Sequence, residues 1–270
     1  MRKIAHIINP FIVEPSSDLH LAQPITFETM RRARDFAAGG VAVSLYSAQF
    51  PEDRACVPDD FCATPDLTRS ILDFGAFPKK RKLPLLADIL DRLYEASDAD
   101  YLIFTNVDIA VMPHFYAAVN TIIDNGCDAF AINRRTIELK RARLDQLPLM
   151  YAEVGAPHEG HDCFVFRRDV YPKYRLGAIC TGLWYIGRVL LWNLACHAKK
   201  FKEHKGRHLT FHLGNDRAFV NEENFPFFAH NKKEAEKIQA ELRREVNSGY
   251  IDELFARYPI LDYEMMRKRA

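Results

Sequence analysis

Short apolar runs alternate with amphipathic stretches through the first half of the chain. Lys3 to Asn9 is apolar and closed by Asn9-Pro10, as in a buried parallel strand whose carboxyl end opens into a loop. Start signals at Pro24 to Glu28, helical spacing of Met30, Ala33 and Ala37, and the stop Gly39-Gly40 predict a helix. Val41 to Tyr46 then reads as a second strand, and this β-α-β order predicts a parallel sheet. The proline-rich stretch 51–82 reads as loop with one short strand near Phe61 to Leu67. Leu86, Ile89, Leu90 and Leu93 form one face of the next helix. Tyr101 to Phe104 is continuous enough for a central strand. Phe115, Val119 and Ile122 mark a helix ended by Asn125-Gly126, and Asp128 to Asn133 is the following strand.

Beyond residue 134 the pattern loosens into the charged stretch Arg134 to Arg143 and a loop around Pro148 and Pro157. Strands at Cys163 to Phe166 and His208 to His212, an apolar helix from Ile186 to Cys196, a charged helix over 232–246 and a short helix around Leu254 complete the expectation. The fold class is therefore α/β, a mostly parallel central sheet flanked by helices with a less regular C-terminal half. One domain is the economical reading, divided as 1–133, 134–230 and a C-terminal helical part 231–270.

Composition narrows the function classes. The 270 residues are 48% hydrophobic, enough for a full core, and Lys plus Arg (37) balance Asp plus Glu (36). That balance argues against nucleic acid as a partner. Lys79 to Lys82 is the strongest basic run, either a phosphate contact or a solvated loop. The six cysteines have no C-x-x-C spacing, which removes zinc-ribbon and thioredoxin-like chemistry. No apolar run approaches the roughly 20 residues of a spanning helix. A reduced, cytoplasmic protein is expected, working if need be at a membrane surface that carries its acceptor.

Ligands of open parallel sheets bind at the carboxyl ends of strands. Asn9-Pro10, Asn106-Val-Asp108, Glu159 to Asp162 and His212 all fall there. If the segment is extended, Asn106 and Asp108 face one ligand and supply hard oxygens for Mg²⁺ or Mn²⁺; the plainer alternative makes Asp108 a helix cap or turn residue. Asp162 is either a carboxylate that accepts a hydrogen bond from a ligand hydroxyl, with Gly160 allowing close backbone approach, or a turn residue bonding backbone amides. His161 reads as a loop histidine. His212 is a Mn²⁺ ligand or a hydrogen-bonded core residue, with Asp216 as its understudy.

The segment SDADYLIFTNVDIAVMPHFY resembles the metal-binding segment of GT-A-fold glycosyltransferases, where a hydrophobic strand ends in a D-x-D or related motif. RKLPLLADIL is similar to the helix under the nucleotide, GHDCFVFRRDVYP to the later strand before the acceptor-side helix, and IGRVLLWNL to the segment carrying the general base of inverting members. The resemblance spans about residues 80–217 plus the first strand, and implies that 1–133 is the nucleotide-binding half and 134–230 the acceptor-side half. It implies transfer of a sugar from a nucleoside diphosphate-sugar to a glycan or other hydroxyl acceptor, with Mn²⁺ or Mg²⁺ assisting. On this pattern Asn9, Pro10, Lys82 and Asn106 meet the nucleotide, Asp108 and His212 the metal, and Asp162 and Asn193 stand at catalytic positions. Two departures matter: Asn106 replaces the first acid of D-x-D, and Asn193 follows Trp192 where relatives carry an acid. An amide cannot act as general base, so inversion or retention stays open. The alternative is a non-catalytic, carbohydrate- or nucleotide-binding relative. A nucleotidyltransferase would need a glycine-rich loop after the first strand, and residues 9–17 have no glycine.

Overall fold

A computed structural model of the chain describes residues 1–214, 220–246 and 249–264. In chain order the elements are β1 (Lys3–Ile8), α1 (Asp18–Ala37), β2 (Ala42–Ser47), β3 (Cys62–Ala63), α2 (Leu86–Ala96), β4 (Tyr101–Thr105), β5 (Ile109–Val111), α3 (Phe115–Asp124) and β6 (Ala129–Ile137). They continue with α4 (Leu147–Ala152), β7 (Ala156–Arg167), α5 (Ile186–His197), β8 (Phe201–His204), β9 (Thr210–Leu213), α6 (Phe225–Glu245) and α7 (Gly249–Arg257). Strands β3, β2, β1 and β4 lie side by side and parallel. β7 runs antiparallel between β4 and β6. β6 then pairs in parallel with β8 along its first half and with β9 along its second. β9 in turn carries β5 antiparallel.

Alternate residues of the central strands enter opposite layers. Leu102, Phe104, Phe164 and Phe166 join the helices α2, α5, α6 and α7 in one core cluster. Ile103, Val165 and Phe130 join α1 and α3 in the other. Burial on both faces is why these strands read as unbroken apolar runs. Between them sits a buried polar link: the His6 ring bonds Tyr116 Oη through Nδ1 (2.8 Å) and Thr105 Oγ1 through Nε2 (2.9 Å). Burial drives its pKa down to about 3, so the ring is neutral at working pH. The link pins the last residue of β4 to β1 and α3.

Several elements differ from the sequence expectation. α1 starts a turn and a half before Pro24, with the Ser17 side chain accepting from Leu19 N–H. Pro24 lies inside the helix and forfeits only the bond to position 20, which is exposed. β6 continues through Arg134 and Arg135 to Ile137, because its second half is paired on both sides. β7 reaches back to Ala156, so Glu159 to Asp162 stand inside a strand and not before one. The short charged strand β8 has no apolar signature and is legible only in the structure.

Candidate functional site

The site builds outward from the carboxyl ends of β1, β2 and β4. At the first, Asn9 Nδ2 donates to Ala48 O just past β2 (2.6 Å). Pro10 is buried. The loop that follows is fixed from two sides: Gln23 exchanges hydrogen bonds with the Phe11 backbone (3.1 and 2.9 Å), and Asp53 Oδ1 accepts from Ile12 N (2.8 Å). Lys82 reaches the same corner. Its Nζ lies 2.6 Å from Glu52 Oε1 and 4.0 Å from the centre of the Phe50 ring. Asn9 and Lys82 thus both bear on segment 48–52, at an exposed ion pair that a ligand phosphate can outbid at little cost.

Asn106 and Asp108 do not face one ligand by strand alternation. Ile109 N donates to Asn106 O (3.2 Å), closing a turn over Val107 and Asp108. The two side chains are thereby aimed at different strands. Asp108 looks to β9, where His212 Nε2 lies 3.1 Å from its Oδ2 and Leu213 N donates to its carbonyl (3.1 Å). Burial opposes ionisation of Asp108, but the charge and hydrogen bond of His212, with the Arg134 guanidinium, outweigh it and hold the carboxyl below its ordinary value. The other oxygen, Oδ1, is buried and has no hydrogen-bond partner among the described residues.

Asn106 looks to β7 instead. Its Nδ2 donates to Asp162 Oδ1 (3.2 Å), and Arg134 Nη1 donates to Asp162 Oδ2 (2.6 Å). Arg134 and Asp162 are 11% and 14% exposed, so the pair is largely desolvated. Asp162 occupies a bulge: Cys163 stands opposite Ile132 and His161 opposite Asn133, leaving Asp162 as the extra residue. A Cβ at Gly160 would come within 2.7 Å of the His158 ring, whose Nδ1 accepts from Gly160 N, so the glycine makes room for a neighbouring side chain.

His161 is not a loop residue. It is buried in β7, with Nε2 3.2 Å from Glu203 Oε2 on β8. Glu203 also accepts from Tyr258 Oη and from Arg257 Nη1 (2.9 Å), and Lys205 Nζ lies 3.9 Å away. Burial pushes this carboxyl up, and these partners together overcome it, bringing it down to about 2. Sequence reasoning missed both Arg134 and this junction. For Arg134 the available signal was a charge set directly after an apolar strand; Glu203, inside the charged strand β8, offered none.

Asn193 does not join the site, and the catalytic position expected for it is corrected. It is 0% exposed in α5. Its Oδ1 accepts from Arg175 N (2.6 Å), and its Nδ2 donates to Arg175 O and Val189 O (both 2.8 Å). Both ends of the amide are consumed by backbone, which makes Asn193 a clamp on the segment before α5. Asp216 lies outside the described residues.

For a divalent cation, the described residues contain no group of three His, Cys, Asp or Glu side chains able to hold it. Two donors do fit. In an octahedral site with bonds of about 2.1 Å, adjacent ligand atoms stand about 3.0 Å apart, close to the 3.1 Å between Asp108 Oδ2 and His212 Nε2. The unpartnered Asp108 Oδ1 adds a second carboxylate oxygen. Phosphate oxygens and water would have to fill the remaining positions, as is usual for Mg²⁺ and Mn²⁺. A separate cavity of about 460 Å³ beside Arg2, Asp100 and Arg167 lies at the amino end of β4, away from these groups.

No protein-family model matches the chain. No curated protein sequence matches it either. Solved structures do. Residues 1–349 of S. aureus TarS, in complex with UDP-GlcNAc, superpose over 95% of this chain and 71% of that one, at 7% identity and a TM-score of 0.58. Glucosyl-3-phosphoglycerate synthase from Mycobacterium tuberculosis, with Mn²⁺, UDP and glucosyl-3-phosphoglycerate, overlaps more loosely, covering 87% and 80% at 13% identity and a TM-score of 0.46. The chain therefore has a GT-A-like glycosyltransferase fold, with a curled mixed sheet flanked by helices.

Proposed function

We propose that the protein transfers a sugar from a nucleoside diphosphate-sugar to an acceptor hydroxyl. The observation that carries this reading is the under-bonded Asp108 beside His212, at the carboxyl end of the central strand of a GT-A-like sheet. Asn9 and Pro10 lie against the base. Lys82 leaves Glu52 for a phosphate of the donor, and Arg134 adds a second fixed positive charge near the departing diphosphate. Asp108 and His212 would hold Mn²⁺ or Mg²⁺. Such an ion, when bound, supplies positive charge to the leaving group. Asp162 would accept a hydrogen bond from an incoming hydroxyl through a lone pair left beyond its bonds to Asn106 and Arg134, and take its proton. A glycan is the acceptor class in keeping with the polar stretch 134–160. The cysteines among the described residues are free, which suits a reducing, cytoplasmic setting.

The test is donor breakdown with and without acceptor, in Mn²⁺ or Mg²⁺, across a panel of sugar nucleotides. Release of nucleoside diphosphate that falls about 100-fold in Asp108→Ala supports the reading. No release from any donor sinks it, as does release that Asp108→Ala leaves intact. A second reading, binding without chemistry, is favoured by one observation: both Asp162 oxygens are already engaged. It expects donor to raise the melting temperature while no product forms.

A further inference from the structure

The asparagine at position 106 has a reason of its own. Thr105 pairs with Cys163 at the last rung of the β4–β7 ladder, so the next opposed positions are 106 and 162. No backbone rung forms there, because β4 has turned away toward Ile109 and β7 has bulged. The Asn106–Asp162 side-chain hydrogen bond stands in its place (3.2 Å), and Arg134 closes the far side of the carboxylate (2.6 Å). We infer that Asn106 is a positioning residue that holds Asp162 by donating to it, so that the site requires an amide at this position and not a second carboxylate.

The argument is one of donors and charges. Asp162 and Arg134 form a neutral, largely desolvated pair, and a neutral amide completes it without adding charge. A carboxylate at 106 can only accept. It would face Asp162 Oδ1 across the same 3.2 Å and add a further carboxylate beside Asp162 and Asp108 near the Arg134 guanidinium. Asn106 is then no eroded D-x-D acid. It is the element that ties the donor edge of the sheet to the acceptor strand, leaving the metal-facing role to Asp108 and its partner on β9.

The inference extends the transfer reading, but its first test does not depend on it. The melting temperatures of wild type, N106A and N106D at neutral pH should fall in that order. N106A loses the bond, about 2 °C, and N106D loses more because it adds repulsion to the loss. N106D melting at or above N106A overturns the proposal. A cycle of N106A, D162A and the double variant should give losses that do not add, and additive losses overturn it too. The second test is kinetic. N106A should lose about tenfold in kcat with donor KM nearly unchanged, since it removes the bond to Asp162 without adding charge beside Arg134. A faster N106D, or one that binds Mn²⁺ more tightly than wild type, would mean that a D-x-D site had been restored, and the proposal falls. If wild type releases no nucleoside diphosphate at all, the transfer reading fails by itself and the melting order still decides this one.

Discussion

Asp108 and Glu203 are both acids set against a buried histidine, at 3.1 Å and 3.2 Å respectively, and both are held below the ordinary carboxylate range. Their remaining valences differ. Glu203, with its side chain 10% exposed, gathers His161, Tyr258, Arg257 and Lys205 from three parts of the chain. Asp108, 21% exposed, has His212 on one oxygen and nothing described on the other. A saturated acid stabilises the junction of β7, β8 and α7 and has little left to offer a ligand. An unsaturated one contributes less and keeps an oxygen available for chemistry. A lowered carboxyl pKa beside a histidine cannot distinguish these cases; counting what each oxygen already bonds does.

The comparison can be broken most sharply at Glu203. Its replacement by alanine leaves His161 and Tyr258 without their buried anion and should cost about 3 kcal/mol in urea unfolding. A loss under about 1 kcal/mol would mean that the junction is not an anchor. Asp108→Asn should do the reverse, lowering donor turnover about 100-fold, worth about 2.7 kcal/mol of barrier. It should lower the melting temperature only slightly, through the loss of the single contact with His212; a drop as large as that of Glu203→Ala would put Asp108 in the structural class with Glu203. Asn193→Ala belongs on the Glu203 side of the divide. It should cost about 2 kcal/mol of stability through the exposed ends of the Arg175 backbone, with donor KM unaltered. A changed KM at normal stability would return Asn193 to the site.

The same comparison can be read in pH. Glu203 titrates at about 2 in the folded chain against an ordinary 4.5, so its contribution is complete above 4.5 and disappears as pH falls toward 2. His6 is lowered from 6.5 to about 3, so the unfolded chain takes up a proton below 6.5 that the folded chain refuses, and stability again falls with acid. Melting followed from pH 7 to 3 should decline throughout, and Glu203→Gln should flatten only the part below 4.5. An unaltered acid slope in that variant would remove Glu203 from the account.

Much of the scaffold was legible because apolar runs buried on two faces need no partner information to be recognised. β4 and the ends of β1 and β2 are of that kind, and they located Asn9, Asn106 and Asp108 at one edge of the sheet. What failed was the extension of local rules past a turn. Period-two alternation put Asn106 and Asp108 on one side, whereas the bond from Ile109 N to Asn106 O separates them. Charged strands were illegible for a different reason. Phe201 to His204 and Arg134 to Thr136 are strands because of what pairs with them, and pairing across 60 or more residues leaves no local trace. Asn193 misled by position alone, since whether an amide faces substrate or backbone depends on Arg175, 18 residues earlier.

The rung between Thr105 and Cys163 also offers a way to time the site. Cys163 is 0% exposed, and burial raises its thiol well above the ordinary value, so a thiol reagent can reach it only when β7 parts from β4 or β6. Cys62 is exposed and would be labelled at once, giving an internal standard within the same molecule. The delay between the two modifications, resolved by peptide mass, measures how often the strand bearing Asp162 opens. A bound donor that steadies the Asn106–Asp162–Arg134 bracket would lengthen that delay without any change in the Cys62 rate.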